Sequence, residues 1–161
     1  MSIDGTDFRI PQQGKAKQGN PFGSHKYNGK SALRYELGAD IMTGFLVWIQ
    51  GPYPAGAWND IKIFNHCLAH FLEPGERVEA DNGYQGHPDK IKCPKNAYNP
   101  PENLGMQGRV RSRHETLNGR LKNWGILQQI FRHDISHHGD VFCACAVIIS
   151  SCLRMVSHYF K

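Results

Sequence analysis

Apolar and polar positions alternate or recur along this chain at spacings that predict its elements in order. The stretch "SIDGTDFRI" reads as a short strand, and "SALRYELGADIMTGFLVWIQG" holds two β-rich runs, 31–38 and 44–50, around a Gly-Ala-Asp-Ile-Met-Thr-Gly turn region, which is a hairpin signal. Two prolines and two glycines in "GPYPAGAWND" are expected to break the sheet before a helix. In "NDIKIFNHCLAHFL", Asn59 or Asp60 can cap that helix, with Ile63, Cys67 and either Leu68 or Phe71 as its apolar face. "EPGERVEAD" turns into a fourth strand, with Val78 and Ala80 leading to Asp81, and a short fifth strand is expected at 90–93. Segment 95–110, rich in Asn, Pro and Gly, reads as a surface loop.

Two helices close the chain. In "RSRHETLNGRLKNWGIL", Leu117, Leu121 and Trp124 recur at three- and four-residue steps, which predicts a helix over 111–124. "DVFCACAVIISSCLRMVSHYF" reads as a largely buried helix over about 137–158 that packs on a sheet. Three neighbouring strands, then a fourth reached through a helix, describe an α/β layered domain with a mixed sheet.

Composition narrows the class. The 161 residues fit one domain with a sizeable core, and 19 Lys and Arg against 14 Asp and Glu give +5, which suits a polyanionic partner. Cys67, Cys93, Cys143, Cys145 and Cys152 are odd in number and form no C-x-x-C pair, so reduced, buried thiols of an intracellular protein are expected. Residues 1–20 are polar, unlike a signal peptide, and the longest apolar run, 141–149, is too short to span a bilayer, so no membrane partner is expected.

His66 and His70 stand at i, i+4, with Cys67 between them and His133, His137 and His138 further on. No Glu follows His66 and no Cys pair accompanies it, so structural histidines are expected rather than a zinc site.

The acids fall at element junctions: Asp4 in the first strand, Asp81 at the end of the fourth, Glu115 in the first turn of a following helix. Glu115 could simply favour the helix dipole or pair with Arg111 or Arg113. If the first and fourth strands are neighbours, however, Asp4 and Asp81 lie side by side and the helix can lower Glu115 onto both. Converging carboxylates repel, and a divalent cation is what neutralises them; all-oxygen ligands favour Mg²⁺ or Mn²⁺.

The chain resembles the DDE-type transposases and nucleases of the RNase H-like superfamily, most closely the Harbinger-like group. "IDGTDFRI" is similar to its first-acid strand, "GPYPAGAWNDIKIF" to its glycine-rich turn and Asn-Asp, "EADNGYQG" to its second-acid motif, "RSRHETLNGRLKNWGIL" to its third-acid helix and "FRHDISHHGDVFCACAVI" to its closing segment. The interval from Asp81 to Glu115, 115 − 81 = 34, is similar to the family's.

The resemblance implies an RNase H-like mixed sheet flanked by helices, with Asp4, Asp81 and Glu115 as catalytic ligands of two divalent ions acting on DNA phosphodiesters. Asp7 rivals Asp4 for the first place, but strand alternation sets the two on opposite faces and the family's acid precedes Gly-Thr. Asp60 matches a family acid outside the triad and His114 could orient a ligand, both as supporting residues, while Arg113, Arg120 and Lys122 would meet neighbouring phosphates.

Complete members of the group carry a helical DNA-binding region ahead of the first acid, whereas three residues precede Asp4 here. The chain is therefore expected to be a single catalytic domain, 1–161, that takes end recognition from a separate DNA-binding partner protein, in the nucleus if eukaryotic. The competing expectation is an inactive, transposase-derived module that binds DNA or protein.

Overall fold

The computed structural model describes residues 1–14, 19–94 and 104–159. Five strands form one mixed sheet in the order β3-β2-β1-β4-β5: β1 Ser2–Arg9, β2 Ala32–Ala39, β3 Leu46–Pro54, β4 Val78–Glu79 and β5 Ile91–Lys92. β1, β2 and β3 pair antiparallel as a meander, whereas β4 and β5 join β1's other edge in parallel. With helices α1 Asp60–His66, α2 Leu104–Lys122, α3 Gly125–Gln128 and α4 His138–Tyr159 around this sheet, the fold is an α/β, RNase H-like arrangement.

Period-two alternation sorts the sheet into two cores. Phe8 and Ile10 of the first strand and its continuation, and Leu33, Tyr35, Leu37 and Ala39 of β2, face α2 and α4, meeting Leu117, Leu121, Phe142, Cys145, Ala146 and Ile149. Ile3 and Val78 face the other way, onto Phe64, Leu68 and Ala69 at α1 and the 3-10 turn Leu68–His70. Tyr35 stacks on Phe142 at 3.9 Å between centroids and its hydroxyl meets His138 Nδ1 at 2.7 Å. His138 is thus a core residue, and burial holds its pKa down at about 4.

Four expectations need correcting. β3 does not break at the prolines but runs on to Pro54, because it is the sheet's edge: Pro52 and Pro54 need no donor on the open side. The loop assigned to 95–110 is already helix from Leu104; its first part, 95–103, lies outside the described residues. Of the two alternatives for the apolar face of α1, Leu68 fills the core and Phe71 is exposed, which decides between them.

The last helix is amphipathic rather than largely buried. Phe142, Cys145, Ala146 and Ile149 point inward, whereas Val147, Ile148, Cys143 and Cys152 are exposed. Of the five cysteines only Cys93 and Cys145 are buried, and none is in a disulfide. By length and composition Ile135–Leu153 could cross a membrane, since the helix extends the run 141–149 on both sides; 28 % of that window is buried.

Candidate active site

β1 and β4 part company after a single matched pair, Ser2↔Glu79. β4 ends there, so β1 runs on without a strand beside it and a notch forms. Two residues beyond the matched pair stand Asp4 on β1 and Asp81 after β4. Equal offsets in a parallel pair put side chains level and on the same face. Asp81 keeps an extended backbone at the start of the 3-10 turn Asn82–Tyr84 and accepts from Gly83 N at 2.7 Å.

α2 packs across this face and runs along β1. His114 Nε2 meets Ser2 Oγ at 2.8 Å, and Asn118 Nδ2 donates to Asp4 Oδ2 at 2.9 Å. One turn on, Lys122 Nζ lies 6.0 Å from the Phe8 ring centroid. Glu115, Asn118 and Lys122 share one helical stripe at i, i+3 and i+7, so Glu115 lies on the flank that holds Asp4, with its side chain exposed. Arg113 and Arg120 fall on the opposite flank. They line a cleft of about 200 Å³ with Thr43, Gly44, Thr116 and Leu153. The three basic residues read together from sequence are therefore split between two sides of the helix.

Asp60 enters the notch from the other face. Asn59 is the cap of α1, accepting from Lys62 N, which leaves the Asp60 side chain to turn back onto the sheet. Gly5 makes room for it: a Cβ there would sit 2.0 Å from Asp60 Oδ1. At Gly83 a Cβ would lie 3.0 Å from both Asp60 Oδ2 and Asp81 Oδ1, so Asp60 spans from β1 to the Asp81 turn. Burial raises its pKa against the pull of Arg34 and Lys26, and the charges of Asp4 and Asp81 raise it further.

Asp7 faces away from Asp4 and is fully buried. Arg34 Nε and Nη2 donate to its two oxygens at 2.7 and 3.0 Å, Ser24 Oγ donates at 2.5 Å, and Arg34 Nη1 reaches Asp60 Oδ1 at 3.2 Å. Asp7 is thus committed to an internal ion pair, whereas Asp4's side chain is held by Asn118. Sequence reasoning did not find Arg34 or Glu36, whose partners are far away along the chain. Alternation in "ALRYELGA" sets both on the polar face, and that was the signal available.

Glu36 accepts from Trp48 Nε1 at 3.1 Å, but its Oε2 is buried without a hydrogen-bond partner. Burial pushes its pKa up to about 7, opposed by Trp48 and Tyr84 and helped by Asp60. The folded state then holds a proton that the unfolded state releases near pH 4.5, so stability falls as pH rises from about 4.5 to 7. Glu36→Gln should remove that loss, worth on the order of 3 kcal/mol. Melting at pH 5 and pH 8 should show the variant gaining on the parent at the higher pH; parallel curves would mean that Glu36 is charged throughout.

His114 is buried, its Nδ1 lacks a hydrogen-bond partner, and burial lowers its pKa, with Asp4 and Asp81 pulling the other way. It therefore orients Ser2 on β1 as a neutral ring. His66 packs edge-on against Trp58, and His133 against Phe131. Among the described residues no three His, Cys, Asp or Glu side chains are close enough together to hold one ion. The charges of Asp4, Asp60 and Asp81 nonetheless act on the same buried neighbour, Tyr84, whereas the Glu115 side chain is exposed.

The donor chemistry of the notch fits a hard divalent cation nonetheless. Its acids are all carboxylates, the charges of Asp4 and Asp81 reach Asp60, and Glu36 Oε2 is buried without a hydrogen-bond partner near Asp60. Neither the curated proteins nor the solved structures contain a match to this chain. The transposase DDE domain family matches residues 1–148. With that match over most of its length and a sheet of the RNase H-like order, the chain belongs to the transposase DDE domain family.

Proposed function

We propose that this domain is a metal-dependent DNA endonuclease and strand-transferase whose site is the notch between β1 and β4. The family's general chemistry is metal-dependent cleavage and transposition of DNA. In this reading Asp4, Asp81 and Glu115 hold two divalent ions, Mg²⁺ or Mn²⁺, and Asp60 and His114 support them. The observation that carries it is the register Ser2↔Glu79, which sets Asp4 and Asp81 level where the sheet opens, with Glu115's stripe of α2 above.

When bound, the ions supply Lewis acidity for in-line attack of a water or a 3′-hydroxyl on a phosphodiester. The chain's own residues do the rest. Asn118 fixes the Asp4 carboxylate, and the Gly83 N–H fixes Asp81. Arg34 keeps Asp60 against Gly5 and so spaces β1 from the Asp81 turn. Lys122 lies along the same flank as Glu115 and would take a neighbouring phosphate, while Arg113 and Arg120 would meet DNA on the other flank of α2. The finer Harbinger-like affiliation rests on the five stretches quoted for it and on the 34-residue interval.

One observation favours a non-catalytic DNA- or protein-binding module instead: Glu115 points into solvent and completes no ligand set among the described residues. Supercoiled plasmid with Mg²⁺ or Mn²⁺ separates the two readings. Metal-dependent conversion to open circles, absent with EDTA, supports the enzyme; DNA binding without conversion at any metal concentration supports the module.

A further inference from the structure

Beyond β4, the open edge of β1 is sealed by one short loop and by Phe131. Carbonyls of Gly5, Asp7 and Arg9 share that edge by alternation, and they accept from Lys26 Nζ at 2.5 Å, Tyr27 OH at 3.0 Å and Phe131 N at 3.0 Å. The loop that supplies the first two is built to hold its shape. Ser24 accepts from Lys26 N while its hydroxyl donates to Asp7, and Asn28 closes the 3-10 turn His25–Tyr27 with a positive φ of 53°. The loop thereby brings an ammonium onto the residue after Asp4.

We propose that Lys26 is a phosphate-binding residue of the DNA site, gripping a backbone phosphate together with Lys122. This deepens the nuclease reading, on which Lys122's role rests. An ammonium carries three N–H donors, and Gly5 uses one, so the others remain for an anion. Its surroundings are unlike those of a plain carbonyl seal. Asp60 attracts it, whereas Lys122, half-buried on the α2 flank, is held below its ordinary pKa first by burial and then by Lys26, against Asp7 and Asp4. Two cations that disfavour one another beside an opening lined by acids gain from a polyanion bridging them. A strand whose scissile bond faces Asp4 would pass its next phosphate by Gly5, whose carbonyl Lys26 already holds.

Binding of the parent, Lys26→Met, Lys26→Arg and Lys30→Met to one short duplex, in EDTA across a salt series, tests this without requiring cleavage. Each lost phosphate contact should lower the slope of log affinity against log salt by about 0.9. Lys26→Met should lose that much, Lys26→Arg should keep the parental slope, and Lys30→Met, exposed on the same loop, should lose less than half as much. A Lys26→Met protein that melts lower yet binds with the parental slope would make Lys26 a seal for the Gly5 carbonyl and overturn the proposal. Nicking measured on the same proteins keeps the two readings apart: a reduced slope in a domain that cuts nothing upholds Lys26 and sinks the nuclease, whereas active parent with an unchanged slope sinks Lys26 alone.

Discussion

Glu115→Gln should lower Mg²⁺-dependent plasmid nicking by at least about a hundredfold, the scale on which a single charge-stabilising group acts in catalysis. Its side chain is exposed, so nothing in the core depends on it. Glutamine keeps the length, the shape and nearly the helix propensity of glutamate. Circular dichroism should therefore be unchanged, and stability should move by no more than about 0.5 kcal/mol. The substitution removes a negative ligand and nothing else, which makes the comparison clean. Retained cleavage in the variant would remove Glu115 from the site and leave Asp4, Asp60 and Asp81 as the acids to test next.

Arg34→Met should be the most destabilising single change at the site. Arg34 is 7 % exposed and Asp7 0 %, and removing one partner of a buried pair costs about 3–5 kcal/mol because the other charge is left without compensation. Methionine fills much of the same volume, so cavity formation adds little. The loss corresponds to a fall in melting temperature of roughly 10 °C. Asp60 loses its cation in the same step, so nicking should fall even at temperatures where the variant is folded. Adding Asp7→Asn to Arg34→Met should recover part of the stability, since it removes the stranded charge. If the double variant is no better than the single, the cost lies in packing and not in the pair.

Strand and helix types were readable because periodicity reports burial directly. Alternation in β1 and β2 and the 3–4 spacing in α2 each follow from which face meets the core. Edges were harder. Whether Pro52 and Pro54 end a strand depends on whether a neighbour needs their N–H, and only the strand order reveals that β3 is outermost. Two glycines in "LGMQGRV" lower the local helix propensity, and that concealed the first turns of α2.

At the site, the acids could be named because their junctions between elements are visible in sequence. What could not be seen was contact across the chain. Arg34 and Asp7 are 27 residues apart, and Asn118 and Asp4 are 114 apart. Asp60's dependence on a glycine opposite, and the division of Arg113 and Arg120 from Lys122, follow from the angle at which α2 and α1 cross the sheet. No local pattern encodes that angle.

If Asp4, Asp81 and Glu115 together bind a divalent ion, melting of the parent and of Asp81→Asn with EDTA and with millimolar Mn²⁺ will separate the two proteins. Asparagine preserves the acceptor for the Gly83 N–H, so the turn should survive the change. Without metal the variant should be as stable as the parent or slightly more so, because one of several repelling charges is gone. With metal the parent should gain roughly 2.7 kcal/mol at a hundredfold excess over Kd, and the variant should barely move. Equal Mn²⁺ shifts in the two proteins, or none in either, would mean that these acids hold no ion.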